Sequence, residues 1–102
     1  KECADEKCLE AAFQSCSPAH LVSAFTTIEG TPAVFDSFVV SRAEGCRIVE
    51  FADYSKDAWG GCAVRKTVCP NMKAAHSDSP ESLGCTPSEV LHKPKICKSP
   101  VP

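Results

Sequence analysis

Residues 46–54 read CRIVEFADY, and the alternation in this stretch decides the fold. In an extended chain Arg47, Val49, Phe51 and Asp53 fall on one side, and Cys46, Ile48, Glu50 and Ala52 on the other. A period of two in a segment rich in β-branched and aromatic residues predicts a strand. Just upstream, Glu44 and Gly45 form a tight reversal that leads back to AVFDSFVVSR, residues 33–42, a second strand. Before it comes HLVSAFTTI, residues 20–28, which ends at the turn signal Glu29, Gly30, Thr31, Pro32. Downstream, CAVRKTVC, residues 62–69, reads as a fourth strand after the loop SKDAWGG, residues 55–61. The expectation is an antiparallel sheet of three or four strands.

A helix precedes this sheet. Leu9, Ala12, Phe13 and Cys16 recur at spacings of three and four, within a run of good helix formers. Asp5 and Glu6 stand in the first turn, where the helix dipole favours acids, and Pro18 ends the segment. The pattern predicts a helix over residues 5–16. Cys8 and Cys16 share one face but lie roughly 12 Å apart at the helical rise, beyond the ~7 Å that a disulfide spans. Each must therefore bond off the helix, and strand cysteines are the expected partners. Cys62 and Cys69 are likewise too far apart in an extended chain, at roughly 23 Å.

From Pro70 the texture changes, with six prolines and five serines in the last 33 residues. A segment this poor in apolar residues cannot order itself by burial, so Cys85 and Cys97 are expected to tie it down, either to each other or to the body near Cys3. Within it, Thr86, Pro87 and Glu89 read as a capping box, which predicts a short helical turn near residues 87–92. The fold class expected is α+β, as one domain. Residues 1–69 form a helix-plus-sheet core, and residues 70–102 a cross-linked, mostly irregular tail.

Composition narrows the function. Eight cysteines in 102 residues are an even number at a density typical of disulfide scaffolds. Cys3, Cys8, Cys16, Cys46, Cys62, Cys69, Cys85 and Cys97 are read as four disulfides in an extracellular protein, with Lys1 as the first residue after signal-peptide removal. A net charge of −2, spread along the chain, does not supply the basic face that nucleic acid requires. No apolar run approaches the ~20 residues of a membrane span. The sole asparagine, Asn71, precedes Met72 and Lys73, so there is no N-glycosylation sequon.

Chemistry is sparse. Successive cysteines are separated by 4, 7, 29, 15, 6, 15 and 11 residues, which lacks the paired short gaps of a zinc site, and no metal or cofactor is expected. His20, His76 and His92 are read as surface histidines, since no nucleophile motif surrounds any of them. Asp53 and Asp57 are the nearest thing to a carboxylate pair, in a chain too short to build a glycosidase cleft around them. The best binding candidate is the loop DYSKDAWGGC, with Tyr54, Lys56, Asp57 and Trp59 as contact residues. Arg65 and Lys66, between Cys62 and Cys69, offer a second candidate as a preorganised inhibitory segment, against the simpler reading of a charged strand. The function expected is a secreted, non-enzymatic binding protein, an effector, toxin-like or signalling factor acting on an extracellular protein or receptor. A loop-based protease inhibitor is the alternative, and a small secreted enzyme the third choice.

Overall fold

The computed structural model describes residues 1–26, 30, 32–55, 62–77 and 79–93. The chain opens on a two-residue strand, β1 (Glu2–Cys3), and then enters helix α1 (Glu6–Ser15). Four longer strands follow: β2 (Ala19–Thr26), β3 (Pro32–Arg42), β4 (Gly45–Asp53) and β5 (Val64–Cys69). A short helix α2 (Met72–Ala75) and a 3₁₀ turn (Pro80–Leu83) lead to β6 (Glu89–His92). The strands form one sheet in chain order, β1 to β6. β1 pairs parallel to β2, and every later pair is antiparallel.

This corrects the expected architecture. The sheet has six strands rather than three or four, it is mixed, and a strand rather than a helix begins the chain. The expected helical turn near residues 87–92 is also overturned, because that segment is β6. The physical reason is visible at Thr86. Its N–H donates to the Val68 carbonyl at 2.8 Å, and its hydroxyl accepts from the Val68 N–H at 3.0 Å. Thr86 is thus consumed by the end of β5 instead of capping a helix, and Glu89 and Val90 then pair with Lys66 and Arg65. Cross-strand pairing has overridden a local capping preference.

Helix α1 starts where Asp5 accepts the Cys8 N–H at 2.9 Å, an N-cap rather than a first-turn acid. It stops at Cys16, which takes a left-handed conformation two residues before Pro18. The β3–β4 reversal pairs Arg42 with Gly45, whose φ of +120° suits glycine, so the turn residues are Ala43 and Glu44.

Both helices pack on one face of the sheet. Leu9 and Ala12 of α1 and Met72 and Ala74 of α2 meet Ala19, Leu21, Val39, Ile48 and Cys69 of the strands. Of the eleven buried members of this cluster, three are alanine and three are cysteine, so its side chains are small and sulfur fills much of the space. The aromatic side chains Phe38 and Phe51 lie on the other face, edge to face with centroids 5.8 Å apart.

Disulfides complete this thin core. Cys3 bonds Cys8, tying β1 to α1. Cys16 bonds Cys46, tying the end of α1 to β4 with Cα atoms 5.6 Å apart. Cys69 bonds Cys85, so the tail is pinned at the end of β5 rather than near Cys3. Cys62 is also disulfide-bonded, while Cys97 lies outside the described residues. These bridges are consistent with an extracellular protein. Among the described residues, no helix is long and apolar enough to cross a membrane.

Candidate functional site

The site follows from a length mismatch. Strand β3 has eleven residues and runs about 36 Å, whereas α1 has ten and covers about 15 Å. The helix therefore shields only part of the strand length. The cross-strand rows on the helix-covered face show the change. Ala19, Val39, Ile48 and Cys69 form one row, and all four are buried. The next row is Leu21, Ser37, Glu50 and Thr67, and the one beyond is Ser23, Phe35, Ala52 and Arg65. Polar residues enter the inward face at these two rows.

A cleft of about 430 Å³ opens over these rows. Ser37 and Glu50 lie on its floor, and Phe35 and Tyr54 sit against each other edge to face, with centroids 5.8 Å apart. Glu6, from the first turn of α1, and His76, at the C-terminal end of α2, stand on the opposing wall, 3.9 Å apart. His76 gets there because Asn71 caps α2 through the Ala74 N–H at 2.8 Å, which turns the chain back over the sheet.

Burial pushes the Glu50 carboxyl above the ordinary carboxylate range, against the opposing pull of the His76 charge and of the Ser37 hydrogen bond. The folded state thus holds the proton more tightly than the unfolded chain, and Glu50 costs stability as pH rises through its ordinary value toward the raised one. Glu50→Gln is accordingly expected to leave Tm unchanged near pH 4 and to raise it at about pH 7, with the carboxylate's charge gone. A Tm lowered at about pH 7 would show that the carboxylate is stabilised in place.

The Trp59 loop candidates divide. Tyr54 lines the cleft, while Lys56, Asp57 and Trp59 lie outside the described residues. Arg65 and Lys66 are in β5, which pairs with β4 on one side and β6 on the other. Both are therefore held in the interior of the sheet, in paired backbone rather than on a loop. They also face opposite ways. Arg65 lies one row beyond Glu50, and Lys66 places its Nζ 6.0 Å from the Phe51 ring centroid on the other face. No family model, curated protein or solved structure matches this chain.

The sequence alone marks Glu6 only as a first-turn acid, His76 as a surface histidine and Glu50 as a member of the β4 alternation, and it gives Ser37 no role. A signal for Glu50 is present all the same: it follows Cys46 and Ile48 on the inward side of β4, a carboxylate in an otherwise apolar row. His76 carries no such signal, because only the turn after Cys69 brings it to the sheet.

His20 is also more than a surface histidine. Its Nδ1 lies 3.0 Å from Glu2 and its Nε2 2.9 Å from Asp36, while its ring stacks on Phe38 at 4.3 Å. A neutral imidazole has one N–H to donate, so only the imidazolium satisfies both carboxylates. Hydrogen bonding to Glu2, then to Asp36, raises its pKa. The stability gained is complete below the ordinary histidine range and is lost as pH rises through the raised value. An NMR titration of the His20 ring should give a midpoint above that range, lowered by Glu2→Gln and less by Asp36→Asn. A midpoint indifferent to both substitutions would contradict the arrangement.

Proposed function

We propose that this chain is a secreted, disulfide-stapled binding protein that acts without turnover, and that it takes its extracellular partner through the cleft over Glu50. The observation that carries this reading is the polar floor of that cleft: a desolvated carboxyl and a serine placed where the sheet would otherwise continue its apolar core. Burying a carboxylate costs stability, and ordinary packing would not select it at an inward strand position. The staples support the extracellular setting, and they hold the cleft walls at fixed separation, so little freedom is lost on binding. Ser37 supports the non-enzymatic part. It is only 5% exposed, which withholds its hydroxyl from a substrate as a nucleophile.

The test is a fragment screen followed by amide NMR on the whole protein, with cationic, anionic and neutral sugar fragments. Signals of Leu21, Ser37, Glu50 and Ser77 are expected to move together on binding, with no fragment chemically changed. A screen in which no fragment class moves them would contradict the cleft assignment. Conversion of any fragment would contradict the non-enzymatic reading.

A further inference from the structure

We infer that the cleft over Glu50 receives a cationic side chain, the protonated amine or guanidinium of a lysine or arginine on an extracellular protein. The inference rests on the cleft being the contact site and adds what it selects. Two carboxyl groups, Glu6 and Glu50, line the cleft, yet among the described residues no lysine or arginine does. Arg65 lies one row away on the same face but is not part of the lining. Among the described residues the one basic group in the wall is His76, which stands beside Glu6 and not on the floor with Glu50. A cation arriving from outside supplies the missing counter-charge.

The rest of the lining suits the same guest. Phe35 and Tyr54 present aromatic surface, whose negative faces attract an ammonium or guanidinium group. The Glu6 and Glu50 carboxylate oxygens are acceptors for its N–H groups. At about 430 Å³ the space has room for a whole lysine or arginine side chain. An anionic guest would meet like charge, and a neutral sugar would offer the carboxylate hydrogen bonds but no counter-charge.

Titration links binding to pH. The groups facing Glu50 are Glu6 from α1, His76 from α2 and Tyr54 from the end of β4, with Arg65 of β5 a row beyond. Burial holds the Glu50 proton to a higher pH than an ordinary carboxyl would, so the cation must displace it. Affinity therefore rises with pH as Glu50 ionises.

The experiment compares two probes by amide NMR on the intact protein: Nα-acetyl-lysine methylamide, and the norleucine analogue, which keeps the aliphatic stem and lacks the charge. The lysine probe is expected to move the Ser37, Glu50 and Tyr54 signals and to bind about tenfold tighter than norleucine, as a charge-assisted hydrogen bond warrants. Glu50→Gln should reduce that preference about tenfold, and Glu6→Gln, at the outer wall, by less. Equal binding of the two probes at these signals, or a lysine preference that survives Glu50→Gln, overturns the cation assignment while leaving the cleft as the contact site. If neither probe nor any anionic or sugar fragment moves these signals, the contact site falls as well.

Discussion

Replacing Cys16 and Cys46 together by alanine is expected to lower the unfolding free energy by about 3.5 kcal/mol, the loop-closure value for a separation of 30 residues. The same reasoning gives roughly 3 kcal/mol for Cys69–Cys85, with a separation of 16, and roughly 2 kcal/mol for Cys3–Cys8, with 5. Of these three bridges, the first therefore matters most. A domain of this size is stable by about 5–15 kcal/mol in all, so its loss removes a large share. The bridge also has a structural job, for it fixes the C-terminal end of α1 to β4, the strand that carries Glu50. Urea unfolding of the double variant should show a lower midpoint and a larger m-value, because the unfolded chain is then less constrained. A change below about 1 kcal/mol would mean that packing alone seats the helix.

The second large effect is Leu9→Ala, expected to cost about 3 kcal/mol. Leu9 is fully buried between α1 and the sheet. Its cluster contains alanines with nothing to extend and cysteines held by disulfides, so the surroundings have few side chains able to move into the void. Val22 is the control, since it is 52% exposed on the opposite face. Val22→Ala should change stability by no more than about 0.5 kcal/mol. Equal losses for the two would place the core on the wrong face of the sheet.

What the sequence makes legible follows from the range of each signal. The alternation of Cys46–Asp53 is local, and β4 spans Gly45–Asp53. Strands β2, β3 and β5 overlap the expected runs for the same reason, with β5 beginning at Val64 rather than Cys62. β1 has two residues, too few to show any period, and only its partner β2 makes it a strand. β6 carries a helix-start signature whose Thr86 is taken by Val68, a contact 18 residues away along the chain. The six-stranded mixed sheet is therefore a product of its edges, where distant pairing outweighs local preference.

The disulfides divide in the same way. Helical rise alone rules out Cys8–Cys16, and both of these cysteines do bond to strand residues. That Cys85 meets Cys69 depends on the turn through α2 and the 3₁₀ segment, where Gly84 takes a φ of +103° beside Pro70. The cleft is the least legible feature. It needs the shortness of α1 against the length of β3, which is visible, and the return of His76 over the sheet, which is not.

Peptide mapping of the native protein under non-reducing conditions tests most directly the claim that covalent bridges hold the helices to the sheet and so shape the cleft. The account predicts linked peptides for Cys3–Cys8, Cys16–Cys46 and Cys69–Cys85, with no cysteine open to alkylation before reduction. Free thiols in the folded protein, or Cys16 linked to any cysteine other than Cys46, would contradict it.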